Sequence, residues 1–313
     1  MERLVVEGWA PEYGASVEPI DDLAPSEGSV DVTIEGRAWA PIPGADDGVA
    51  AIAFVDGVRR VDARLVLDDP GRGPIPGICG SYGVGAVLWD RTVPRSEIVD
   101  ARVERLAVLT RGRSVPIPPA GLGLTYRTES VPDDDPGSLI EHLHGQMRLG
   151  EAALAERLAG DGVFVVADGP LYEPASALEQ IGYVKSHRVS YLPGEHGAIV
   201  AELAPGERTP LFTITGYRRY SWYVCLARPA GGHSWSGIVR CEAPAGLALD
   251  RVATLADRTA AVLPLVGSQP HIDPRAPQNL VPIAALERDL RHRQGDPGLV
   301  LRSLRSAVQE AAA

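Results

Sequence analysis

Residues 163–171, VFVVADGPL, constrain the fold more than any other stretch, because an unbroken apolar run here ends in an aspartate. Apolar and polar residues do not alternate in this run, which is typical of a strand buried at the centre of a sheet. A stripe of apolar residues at helical spacing precedes it, between residues 138 and 162, and predicts a helix. A helix followed by a buried strand indicates an α/β or α+β sheet with helices packed on it.

The segment at 48–69 consists of two apolar runs separated by Asp56 and Gly57. Because Asp-Gly is a frequent dipeptide in tight hairpin turns, the pattern predicts a buried strand, a turn and an antiparallel return strand. Further strands are predicted at 80–90, 101–110, 197–203, 209–216 and 219–228. Further helices are predicted at about 245–263 and, as a pair, after residue 277.

The composition argues against several classes of protein. Asp and Glu outnumber Lys and Arg by 41 to 30, and the net charge of −11 argues against a free-standing DNA clamp, which needs a basic surface. The three cysteines lie far apart without a CxxC pair, so neither a zinc ribbon nor a disulfide framework is indicated. The first residues do not resemble a signal peptide, and no apolar run approaches the roughly 18 residues of a membrane span. We therefore expect a cytoplasmic protein that contacts no membrane.

Two stretches, AFVDG at 53–57 and VVADG at 165–169, each end an apolar run with an aspartate and a glycine. If the two strands are neighbours, the carboxylates of Asp56 and Asp168 meet. Two carboxylates about 4 Å apart repel by roughly 4 kcal/mol at an effective dielectric constant near 20, so they need a cation or a shared proton. Their hard oxygen ligands suit Mg²⁺ or Mn²⁺. The alternative is that both Asp-Gly pairs are ordinary turns.

Lys185 is the only lysine of the chain, and the other 29 basic residues are all arginines. Arginine carries a wide planar fork, whereas lysine carries a compact ammonium group on a flexible stem. A narrow site beside a phosphate oxygen or a metal-bound carboxylate therefore admits lysine and excludes arginine. The alternative is a surface lysine without a specific role.

Four stretches in this order resemble the NurA nuclease family: AFVDG, then MRLGE at 147–151, then VFVVADGPL, then GYVKSH at 182–187. The resemblance spans about residues 48–292. It implies an α/β fold with an RNase H-like mixed β-sheet core at 48–292 flanked by helices, a β-rich N-terminal extension at 1–47 and a C-terminal helix at 293–313. It also implies a DNA nuclease, exo- or endonucleolytic, that uses Mn²⁺ or Mg²⁺, forms a homodimer and works with a HerA-type hexameric ATPase in DNA end processing, repair or phage defence.

Carried over residue by residue, the resemblance implies that Asp56, Glu151 and Asp168 bind two metal ions and that Lys185 contacts the scissile phosphate or a metal ligand. The family ends with a histidine ligand on a C-terminal helix, but the corresponding NLVPIAALERDL at 279–290 has no histidine. Glu287 is the candidate for this last position, and its alternative is an exposed helix residue. Weaker candidates are Asp289, His292, Asn279 and His271.

Two other functions stay open. The missing histidine favours a catalytically degenerate adaptor that docks on the ATPase and regulates it, and the same carboxylates would also serve a phosphohydrolase acting on a small phosphate ester. Arg218 and Arg219 lie among aromatic residues and are candidates for phosphate contact, although the alternation there predicts a strand first.

Overall fold

The computed structural model describes residues 30–312 except 70, 72, 94, 173–176, 188–190 and 193. The described residues form a mixed α/β fold, in which twelve strands join in one sheet flanked by helices. The predicted N-terminal extension lies outside the described residues up to position 29. The described part of this extension, residues 30–47, contains two short strands.

The strands are β1 (Val30–Asp31), β2 (Ile42–Pro43), β3 (Ala51–Asp69), β4 (Gly73–Asp90), β5 (Arg95–Leu109), β6 (Arg127–Ser130), β7 (Phe164–Asp168), β8 (Gln180–Val184), β9 (Glu207–Arg208), β10 (Phe212–Ile214), β11 (Arg219–Cys225) and β12 (Ile238–Pro244). The helices are α1 (Pro136–Gly160), α2 (Gly194–Glu202), α3 (Leu249–Val262), α4 (Val281–Arg293) and α5 (Pro297–Ala312). None of these helices is both long and apolar enough to cross a bilayer.

The sheet has the order β1-β10-β11-β12-β8-β7-β3-β4-β5-β6, and β9 pairs with β11 and β2. Strand β7 pairs in parallel with β3 on one side and with β8 on the other. The chain returns from β8 through the antiparallel pairs β8–β12, β12–β11 and β11–β10. This mixed sheet with helices on it and helices at its C-terminus agrees with the predicted fold class, an α/β fold with a mixed sheet flanked by helices.

By contacts the chain divides into two compact units, and the first comprises residues up to 55, 87–97 and 155–284. Helix α3 covers this part of the sheet with the buried face that includes Val252 and Leu255. The indole N–H of Trp222, on β11, donates to Thr259 Oγ1 on α3 at 2.9 Å. Apolar burial and this hydrogen bond together hold the helix on the strand.

The second unit comprises residues 56–86, 98–154 and from 285 onward, and its sheet is covered on both faces. A side chain at Gly80 would meet Leu143 of α1, whereas side chains at Gly83 and Gly85 would meet Leu290 and Leu286 of α4. Because successive residues of a strand point to opposite faces, these helices lie on opposite sides of β4. Three glycines of β4, Gly80, Gly83 and Gly85, are thus explained by the close approach of two helices.

The predicted hairpin turn at Asp56–Gly57 is wrong, because both residues lie inside the continuous strand β3. A Cβ at Gly57 would stand 2.5 Å from Glu151 Oε1 and 2.8 Å from Met147 Cγ. The glycine is therefore required by the approach of α1 and not by a turn.

The predicted strand at 197–203 is also wrong, because these residues belong to α2 and the turn after it. A short apolar run does not distinguish a strand from a buried helix. Val200 and Leu203 are buried against β10 and β11, and Arg228 donates to the carbonyl oxygens of Ala201 and Leu203 at the end of the helix. Strands β6, β9 and β12 were not predicted. The other predicted strands and helices have counterparts in the structure.

Candidate metal centre

Asp56 and Asp168 lie side by side at the centre of the sheet. Strands β3 and β7 are parallel, and Val55 pairs with Ala167, so the aspartate that follows each of them occupies the same level of the sheet. Asp56 is buried and Asp168 is half-buried. The expectation that these two strands are neighbours and bring their aspartates together is confirmed.

Glu287, on α4, joins the two aspartates. One carboxylate oxygen from each of Asp56, Asp168 and Glu287 lies within 4.8 Å of the other two. Glu287 is buried, with a side chain only 7% exposed, so the interpretation of an exposed helix residue is wrong. Three carboxylates at this spacing provide the hard oxygen ligands that Mg²⁺ and Mn²⁺ prefer, and their mutual repulsion favours a cation among them.

Glycine and a buried glutamate fix the chain that follows Asp168. Gly169 has a φ of 83° and donates its N–H to the Tyr183 carbonyl oxygen, so the strand ends at Asp168. Two residues later the N–H of Leu171 donates to Glu242 Oε1 at 2.7 Å. Glu242 is itself buried and bound by Arg240 and Arg219, each at 2.7 Å. The DGPL sequence thus forms a tight loop whose buried anchor holds Asp168 in place.

Lys185 follows β8 directly and contacts Asp168. The Lys185 ammonium lies 2.6 Å from Asp168 Oδ2 and donates to Asn279 Oδ1 at 2.9 Å. Its side chain is only 12% exposed. The interpretation of a surface lysine is therefore wrong, and the ammonium is part of the group of charges around Asp168.

Asn279 accepts a hydrogen bond from the ammonium and is itself bound to Asp273. Asn279 is fully buried and donates from Nδ2 to Asp273 Oδ2 at 2.6 Å. Burial alone raises the pKa of Asp273, but the hydrogen bonds from Asn279 and the Arg275 backbone N–H, with the charges of Arg275 and Lys185, hold it below its ordinary value. Asp273 therefore stays ionised and supports the positive charge of Lys185.

Glu151, the remaining predicted metal ligand, lies beside Gly57, the residue that follows Asp56. Glu151 is buried on α1, packs against Gly57, and accepts from Arg148 Nη1 at 2.8 Å. The group of three carboxylates contains Glu287 and not Glu151. Of the predicted site residues, the structure therefore brings together Asp56, Asp168, Lys185 and Glu287, and the role of Glu151 as a metal ligand stays a prediction.

No family model matches this sequence, and no curated protein matches it either. The geometry of the site is therefore the basis for any functional assignment.

The end of helix α4 is fastened to the sheet about two turns after Glu287. Gln294 donates from its side-chain amide to the carbonyl oxygens of Val58 and Ser81, both at 3.3 Å. Arg60 donates to the Gly295 carbonyl oxygen at 2.7 Å, and the buried carboxylate of Asp62 holds this arginine at 2.8 Å. Glu287 also pairs with Arg291 on the same helix at 3.2 Å. These contacts fix the helix that carries the third carboxylate.

The weaker sequence candidates lie outside the group of carboxylates. His271 and His292 are exposed, and Asp289 pairs with Arg293 at 2.5 Å. Asn279 accepts a hydrogen bond from Lys185 and lies outside the group of three carboxylates. Arg219 is engaged by Glu242, and the exposed Arg218 stays a candidate for phosphate contact. Asp273 was missed, because it meets Lys185 only through Asn279 and no sequence motif links the three.

Proposed function

We propose that this protein is a divalent-metal-dependent DNA nuclease, with Mn²⁺ or Mg²⁺ held by Asp56, Asp168 and Glu287. The observation that carries the proposal is the convergence of these three carboxylates within 4.8 Å, with the Lys185 ammonium 2.6 Å from one of them. Resemblance to the NurA family supports DNA as the substrate. A structural ion pair needs only one acidic and one basic side chain, whereas here three carboxylates from two strands and a helix come together.

A divalent cation bound here would polarise a phosphodiester and activate a water molecule for attack on phosphorus. Asp56 and Glu287 come from a strand and a helix fixed to the sheet, so they hold their ligand oxygens in place. Lys185 is positioned to donate a hydrogen bond to a phosphate oxygen beside Asp168. There it stabilises the negative charge that develops on the phosphate or on the leaving oxygen.

The resemblance also supports the wider setting of the proposal, in which a homodimer acts with a HerA-type hexameric ATPase in DNA end processing. The net charge of −11 agrees with a subunit that receives DNA from a partner instead of capturing it from solution. Nuclease assays with and without the neighbouring ATPase and ATP test this setting. Cleavage that is independent of both contradicts the partnership but leaves the metal centre intact.

The central experiment measures degradation of linear DNA as a function of Mn²⁺ concentration. We expect Asp56→Asn and Asp168→Asn to reduce the rate by at least about 100-fold, because each removes a charged ligand oxygen from the cation. Asp289→Asn is the matched control, since it removes a carboxylate from the same chain outside the group and should cleave like the wild type. Undiminished cleavage by both test variants contradicts the assignment.

A second candidate is an adaptor without catalysis. It is favoured by the absence of the family's C-terminal histidine and by the pairing of Asp168 with Lys185 and of Glu287 with Arg291. An adaptor of this kind binds the ATPase but cleaves no DNA at any Mn²⁺ concentration. A phosphohydrolase, in contrast, prefers a short phosphate ester to a polynucleotide, and substrates of graded length separate the two enzymes.

A further inference from the structure

We infer that Lys185 occupies the place of a second divalent cation, so that the centre binds one metal ion per chain. This inference rests on the proposed function and differs from the two ions that the family resemblance implies. A carboxylate shared by two cations offers one oxygen to each of them. The Lys185 ammonium already lies 2.6 Å from Oδ2 of Asp168, so it occupies one of the two oxygens that two such ions would share.

The ammonium is held by the protein and not by Asp168 alone. Asn279 donates from Nδ2 to Asp273. Its other amide atom, Oδ1, accepts a hydrogen bond from the Lys185 ammonium at 2.9 Å. Asn279 is fully buried, and the pKa of Asp273 is held below its ordinary value, so this support is both fixed and negatively charged. An ammonium held by two partners in this way resists displacement by a second metal ion.

The shape of lysine explains why this position differs from every other basic position of the chain. An ammonium fits between Oδ2 of Asp168 and Oδ1 of Asn279 with two short contacts. A guanidinium group is planar and wider, and it presents its donors in a rigid fork. Lysine therefore stands at position 185, where a compact charge is needed, whereas all 29 other Lys and Arg positions are arginine.

The number of bound ions is measured by electron paramagnetic resonance, which detects free Mn²⁺ in a titration of the full chain. We expect one Mn²⁺ per chain at saturation. Two ions per chain overturn the inference while leaving the proposed metal centre intact. No bound ion overturns the metal centre, and the inference falls with it.

The Mn²⁺ affinity of a Lys185→Met variant distinguishes a lysine that replaces a metal ion from a lysine that only supports the fold. Lys185→Met removes the competing positive charge, and we expect it to bind Mn²⁺ at least tenfold more tightly, or to bind a second ion, while it loses DNA cleavage. Arg305→Met is the matched control, because it removes one positive charge from an exposed position of α5 and should leave Mn²⁺ binding unchanged. Weaker Mn²⁺ binding by Lys185→Met contradicts the inference and indicates that the lysine only supports the fold.

Discussion

Gly57 provides the sharpest test of how β3 and α1 come together beside the candidate metal centre. A methyl group added at this position would stand 2.5 Å from Glu151 Oε1, 2.8 Å from Met147 Cγ and 3.0 Å from the Gly83 carbonyl oxygen. Glu151 can move its carboxylate at little cost. Met147 and the Gly83 carbonyl cannot both retreat, because one is packed in the core and the other belongs to the neighbouring strand.

We expect Gly57→Ala to lower the free energy of unfolding by about 1–3 kcal/mol, the usual cost of forcing an extra group into a packed interior. Urea unfolding followed by circular dichroism measures this difference. Gly145→Ala is the matched control, because it adds the same methyl group to α1 where no atom lies within 4 Å. There the higher helix propensity of alanine should stabilise the protein by up to about 1 kcal/mol. A Gly57→Ala variant as stable as the wild type would refute the close approach of α1 to β3.

The remaining predictions concern the contacts of Lys185. Lys185→Arg should cleave DNA at least 100-fold more slowly while it unfolds at the same urea concentration as the wild type, because the guanidinium does not fit beside Asp168; full activity would contradict the need for a compact charge. Asn279→Ala should lower the free energy of unfolding by about 1–3 kcal/mol, as it leaves buried hydrogen-bonding groups of Asp273 and Lys185 without their partner, and a smaller loss would argue against the contact. The pKa of Asp273 is depressed in the folded protein, so its contribution to stability is present above the unfolded pKa and disappears as the pH falls through the folded pKa. Below about pH 4 the wild type should therefore lose its stability advantage over Asp273→Asn, which unfolding curves between pH 5 and 2 measure, and parallel curves would exclude this linkage.

The sequence was sufficient for those parts of the site that depend on local patterns. Asp56 and Asp168 each follow an apolar run that forms a buried strand, and the pairing of β3 with β7 then brings them together. Helix α1 was predictable from the periodicity of its apolar residues. The isolated lysine was informative because its chemistry differs from that of arginine.

Other parts depend on tertiary contacts that no local pattern contains. Asn279 meets Lys185 across 94 positions of the chain, and Asp273 acts only through Asn279. The function of Gly57 could not be deduced from its neighbours in the sequence, because the helix that excludes a side chain there lies about 90 residues away. The short apolar run at 197–203 was ambiguous for a physical reason, since a buried helix and a buried strand require the same apolar residues.

The fastening of α4 by Gln294 and Arg60 has a consequence for how the centre responds to heat and to mutation of loops. Asp56 is carried by β3, and the same strand provides Val58 and Arg60 as attachment points for the end of the helix that carries Glu287. The separation of these two ligands is thus set by a single strand and one helix attached to it. Shortening or replacing surface loops should leave that separation unchanged, and affinity for the cation should persist until the strand itself melts.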